Sequence, residues 1–165
     1  MKWQNTNQNS WIEEPNVLSN RFRPKPKLVI TSGHLDPCHY GHFLLIKEAA
    51  KLGDYLWFIV NSDHQVFLKR GKLPFIKEEH RRETVESVKY VDYATIAIDK
   101  DGTVTETLEL IFRGNPDHDF IFAKGGDRVE SNMPQSELDV CKKYGCKIVY
   151  GIGGDKIASS SDYKG

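Results

Sequence analysis

From Lys27 onward, short apolar runs alternate with longer amphipathic ones, and no other property of this chain limits its fold so tightly. The strand-like runs are Lys27–Thr31, Tyr55–Asn61, Tyr93–Ile98, Phe120–Ala123 and Lys147–Tyr150. Between them the spacing predicts helices over Phe43–Leu52, Glu78–Val88, Val104–Phe112 and Gln135–Tyr144. Phe43, Ile46, Ala49 and Ala50 give the first helix a buried stripe, and Val85 and Val88 do so for the second behind a charged opening turn. Strands separated by helices of this length imply right-handed crossovers and a parallel sheet. The expected fold class is α/β, a Rossmann-like doubly wound parallel sheet of about five strands, with ligands bound beyond the strands' carboxyl ends.

Three polar, glycine-bearing segments fall at that edge. Ser32-Gly33-His34-Leu35-Asp36-Pro37-Cys38-His39-Tyr40-Gly41-His42 follows the first strand, Asn61-Ser62-Asp63 the second and Lys124-Gly125-Gly126-Asp127 the fourth. The first of these reads as a turn from strand into helix. The opening amides of a helix have no intrahelical partner, and its dipole favours an anion there. His39 and His42 are three residues apart, so at a helix start both imidazoles share one face. Two nitrogen donors beside free amides suit a phosphate whose negative charge grows in a transition state. Nucleotide chemistry is the expectation.

Composition narrows the alternatives. A chain of 165 residues fits one domain with a real core, and 39% hydrophobic with 28% charged residues is the balance of a soluble globular protein. With 23 basic and 23 acidic residues there is no long-range field to attract nucleic acid or a membrane surface, so neither is an expected partner. The odd set of Cys38, Cys141 and Cys146 suits a reducing compartment, and no apolar run approaches the ~20 residues of a membrane span, which makes the cytoplasm the default location. Residues 1–26 are polar and asparagine-rich and end in Arg21-Phe22-Arg23-Pro24-Lys25-Pro26, whose prolines disfavour helix and sheet. They read as a loosely ordered arm on a domain of residues 27–165, with Trp3, Trp11 and Ile12 as possible anchors.

Gly33-His34-Leu35-Asp36 followed by His39-Tyr40-Gly41-His42 resembles the paired motif of the cytidylyltransferase-like nucleotidyltransferases, the HxGH type. Lys51-Leu52-Gly53-Asp54, Val60-Asn61-Ser62-Asp63, Glu79-His80-Arg81-Arg82, Tyr90-Val91-Asp92, Lys124-Gly125-Gly126-Asp127 and Ser159-Ser160-Ser161 follow in that family's order. Asn-Ser-Asp and Lys-Gly-Gly-Asp look most like the branch that makes ADP-heptose. The Glu-His-Arg and Tyr-Val-Asp stretches look equally like the glycerol-3-phosphate cytidylyltransferases. The latter carry an arginine shortly before the serine motif, where Lys156 is the nearest cation here.

The resemblance implies one reaction. A phosphate oxygen of the acceptor attacks the α-phosphorus of a nucleoside triphosphate in line, and pyrophosphate leaves. His39, His42 and Lys69 would then be catalytic, the last reaching the phosphates from a polar loop after the second strand. Ser32, Gly33, His34, Asp36, Gly41, Lys124, Gly126, Asp127, Ser159 and Ser160 would bind the nucleotide, with Asp36 supporting the site or acting with a metal ion. Arg81 and Lys72 would hold the acceptor phosphate. Mg²⁺ is the expected cofactor, a homodimer the expected assembly, and the metal ligands are undefined. The resemblance points to ATP or CTP as donor, with a sugar phosphate favoured as acceptor over a polyol or amino-alcohol phosphate.

Plainer readings stand beside these. The histidines also suit helix capping, and His34, Cys38, His39 and His42 also suit a metal cluster. Lys69, Arg70 and Lys72 also read as a solvated charge run. A catalytically silent nucleotide-binding module would keep the same motifs.

Overall fold

A computed structural model describes residues 23–155 in full and the backbone of residues 3–6 and 10–13. Strands β1 (Trp3–Thr6) and β2 (Ser10–Glu13) pair antiparallel as a hairpin, so part of the expected loose arm has regular backbone. The anchors Trp3, Trp11 and Ile12, as side chains, and Lys156, Ser159 and Ser160 altogether lie outside the described residues.

The body is a five-stranded, wholly parallel sheet flanked by helices on both faces. In chain order it runs β3 (Lys27–Gly33), α1 (Tyr40–Ala50), β4 (Tyr55–Val60), α2 (Asp63–Arg70), α3 (Glu78–Glu86), β5 (Tyr93–Ile96), α4 (Thr105–Gly114), β6 (Asp119–Gly125), α5 (Gln135–Lys143) and β7 (Lys147–Ile152). The strand order β5-β4-β3-β6-β7 reverses between β3 and β6, which is where such sheets open a crevice. Alternate side chains of β3 feed two cores. Leu28 and Ile30 pack with Leu108, Phe112 and Val140 under α4 and α5, whereas Val29 packs with Ile46, Ala49 and Val85 under α1 and α3. Among the described residues no helix is long and apolar enough to cross a membrane.

Every expected strand is present, and β3, β6 and β7 run two residues further toward their carboxyl ends. The extension lies at the polar segments, where Gly33 pairs with Val60 and Gly125 with Ile152. Polar residues hid these rungs from a reading based on apolar runs.

One helix escaped that reading altogether. Residues expected to form a loop after β4 form α2, which carries Lys69 and Arg70 in its last turn. Its signals are terminal rather than periodic. Ser62 accepts the amide of Gln65 while the Gln65 side chain accepts the Ser62 amide, a capping box, and Gly71 ends the helix at φ 69°.

Two family-like segments turn out to build the edge opposite the crevice. Asp54 accepts the Lys27 amide at 2.7 Å and Asp92 accepts the Leu56 amide at 2.8 Å, while their own amides donate to the Lys27 and Leu56 carbonyls. Each thereby closes the start of a strand. Gly53 is required there by space, since a Cβ would stand 2.7 Å from Val29 Cγ2 and 2.8 Å from the Lys27 carbonyl oxygen.

Candidate active site

The carboxyl edge around the switch point holds a cleft of about 480 Å³. Its wall includes Ser32, Gly33, His34, His39, Gly41, His42, Lys69, Lys124, Gly126 and Asp127, so ten residues singled out from sequence come together in one place.

The two histidines form a capping box of their own. His39 is the N-cap of α1, with extended backbone at φ −142° and ψ 175°. Its Nδ1 accepts the Gly41 amide at 3.1 Å, and the Nδ1 of His42 accepts the His39 amide at 3.2 Å. With Nδ1 accepting in both rings, the proton of each neutral imidazole belongs on Nε2. The ring centroids are 4.0 Å apart. Capping and ligand binding are thus compatible: one nitrogen of each ring holds the helix start and the other is the ring's donor.

Electrostatics keep the rings of His42 and His34 neutral. Burial, with His39 and Lys69 beside it, pushes His42 down to about 4. Burial likewise pushes His34 down to about 3, assisted by the charges of Lys69, Arg70, Arg81 and His42. Near neutral pH both rings are N–H donors without a formal charge.

Three expectations need correction. Asp36 is fully buried, and both its oxygens are engaged: Oδ2 takes Arg70 Nη1 at 2.6 Å and the Phe75 amide at 3.0 Å, and Oδ1 takes the Ile76 amide at 2.9 Å. It anchors the loop after α2 and is not presented to a nucleotide or a metal. Arg81 is also buried. Its guanidinium donates to the carbonyls of Ile76, Asn61 and His34 and to Asp63 Oδ1, tying the ends of β3 and β4 to the starts of α2 and α3. It builds the floor and is closed to an acceptor phosphate. Lys72 is exposed and does not line the cleft.

The cleft also gathers Arg128, Glu137 and Gly153, which the sequence did not single out for the site, and Arg70, which read only as part of a solvated charge run. Arg70 is aimed by Asp36, a pairing across 34 residues that no local pattern signals. Gly153, at φ 85°, comes so close to α1 that a Cβ would sit 3.3 Å from the Leu45 amide nitrogen. Glu137 belongs to α5, reached only by the last crossover.

A metal held by protein groups alone does not fit, since among the described residues no three His, Cys, Asp or Glu converge to hold one. Asp127 and Asp155 do line the cleft. That suits Mg²⁺ carried in on substrate phosphates, with one or two carboxylates and waters completing its shell.

Comparison with known proteins follows the same lines. A family described as cytidylyltransferase-like matches residues 30–162. The bifunctional protein HldE of Gluconobacter oxydans (strain 621H) is 34% identical over 134 residues, 81% of this chain and 26% of that protein. HldE of Desulfatibacillum aliphaticivorans is 32% identical over 116 residues, 70% of this chain and 22% of that protein. The chain therefore spans about a quarter of the length of these relatives. A lipopolysaccharide core biosynthesis protein from Thermoplasma volcanium GSS1 superposes with a TM-score of 0.57 at 30% identity, over 76% of this chain and 95% of its own.

Proposed function

Since the chain belongs to the cytidylyltransferase-like family, we propose that it transfers a nucleoside monophosphate from ATP or CTP to a phosphorylated small molecule, releasing pyrophosphate. The observation that carries this reading is the pair of Nδ1-anchored imidazoles side by side at the tip of α1, on the wall of the cleft. An acceptor phosphate oxygen forms a bond to the α-phosphorus, the bond to the bridging oxygen breaks, and pyrophosphate carries away the electron pair. No enzyme nucleophile takes part. His39 and His42 donate from Nε2 to the α-phosphate as its charge builds, and Lys69 and Arg70 balance the leaving phosphates from the end of α2. Mg²⁺ arriving with the triphosphate would add charge neutralisation, with Asp127 or Asp155 on the cleft wall as its carboxylate ligand.

A sugar phosphate is the favoured acceptor, supported by Asn61-Ser62-Asp63 and Lys124-Gly125-Gly126-Asp127, which resemble the branch that makes ADP-heptose. The working assembly on this reading is a cytoplasmic homodimer, which a sedimentation mass checks. Pyrophosphate release across the four common triphosphates and a panel of sugar, polyol and amino-alcohol phosphates tests the reaction. A chain that binds nucleotide yet releases nothing with any pair is a silent module, and the proposal is then wrong.

A further inference from the structure

The crevice between β3 and β6 holds a buried charge pair that the mechanism above leaves unused. Lys124 ends β6 and is 9% exposed. Its ammonium lies 3.5 Å from Ser32 Oγ across the crevice, 3.8 Å from Glu137 Oε2 and 4.3 Å from the centre of the Phe122 ring. The two distances to oxygen exceed the ~2.7–3.2 Å of a well-made N–H···O bond, and the third is an ordinary cation–π contact. An ammonium has three donors, and this one makes a long hydrogen bond to Ser32 and an open ion pair with Glu137. Glu137 is 4% exposed, and its Oε1 accepts the Val104 amide at 3.0 Å. Its Oε2 is shut away from solvent with no hydrogen-bond donor among the described residues.

We propose that Glu137 is a positioning residue: one oxygen fixes it to the start of α4, and the other holds the Lys124 ammonium, still charged, at the crevice to receive a phosphate of the bound nucleotide. The choice of ligand rests on the nucleotidyltransferase reading, and the pairing rests on the geometry alone. A closed ion pair would occupy the ammonium's donors. A buried lysine without a counter-charge would instead drift toward the neutral amine, which attracts no phosphate. The open pair avoids both. The groups that bear on Lys124 are Glu137 and Cys141 from α5, and Asp127 and Arg128 from the loop after β6. Burial lowers the lysine's pKa, Arg128 adds to that, and Glu137 is the largest opposing influence.

The test follows the Lys124 side chain by NMR in lysine-labelled full chain, comparing wild type, Glu137→Gln and Glu137→Asp. Glu137→Gln keeps an oxygen for the Val104 amide, whose own resonance reports that bond, and removes only the charge. The Lys124 titration midpoint is expected to fall by about one pH unit or more in Glu137→Gln, with Glu137→Asp in between. Calorimetric affinity for ATP and CTP then drops about tenfold at pH 9 and changes little at pH 6.5. An unmoved midpoint, or an equal loss of affinity at both pH values, overturns the proposal. If Glu137→Gln does not fold, Glu137→Asp decides, because withdrawing the carboxylate by one methylene must still lower the midpoint. Wild type that binds neither triphosphate overturns the ligand together with the nucleotidyltransferase reading. Wild type that binds, with a midpoint indifferent to Glu137, overturns the positioning role alone.

Discussion

Arg81→Met removes the guanidinium at the floor of the cleft and leaves its partners in place. The carbonyls of Ile76, Asn61 and His34 and the carboxylate of Asp63 all lose their donor. Asp63 is 34% exposed, so water takes over there and the loss is small. The carbonyls are less accessible, and a buried acceptor left unpaired costs about 1–3 kcal/mol. Their sum is about 3–9 kcal/mol, a large share of the ~5–15 kcal/mol that holds a domain together. Arg81→Lys retains a charge but not the fork, and about half that loss is expected. Urea unfolding of both variants measures the loss, and pyrophosphate release at varied acceptor concentration measures KM. The expected result for Arg81→Lys is a clear fall in the unfolding midpoint with acceptor KM within about twofold of wild type. A variant as stable as wild type whose acceptor KM rises tenfold or more would refute the structural role and restore Arg81 as an acceptor-phosphate ligand.

Other outcomes follow from the same geometry. His39→Ala and His42→Ala should each lower turnover ~10²–10³-fold, and His39→Ser should lose the same turnover while retaining the helix cap, which thermal melts can separate. His34 and His42 stay neutral in the fold down to about 3 and about 4, whereas in the unfolded chain they take up protons below 6.5. Their contribution to stability is therefore complete above pH 6.5 and is lost as pH falls toward 3, and urea midpoints across that range should drop less steeply in His34→Gln than in wild type. Gly53→Ala should destabilise by about 1–3 kcal/mol through overlap with Val29 and the Lys27 carbonyl without changing KM, read by the same unfolding assay.

Much of the fold was legible because the apolar alternation acts locally. A run such as Leu28-Val29-Ile30 declares a strand covered on both faces, and the stripe through Ile46 and Ala49 declares the helix beside it. Helix α2 was missed because its information lies in its caps, Ser62 with Gln65 and Gly71, and not in an apolar period. Asp36, Arg81 and Lys72 carried the right chemistry for a phosphate site. A side chain's chemistry does not state its burial, and burial turned the first two into scaffolding.

The five strands, four of the five α-helices between them and the histidine-tipped start of α1 were set by the amino-acid sequence alone, since each depends on residues within one or two turns or one strand of each other. Which charges face the crevice was decided only by the assembled sheet. Asp36 meets Arg70 across 34 residues, Arg81 meets the His34 carbonyl across 47, and Lys124 meets Ser32 across 92. Contacts over such separations come from how parallel strands stack their carboxyl ends side by side, and no window along the chain contains them.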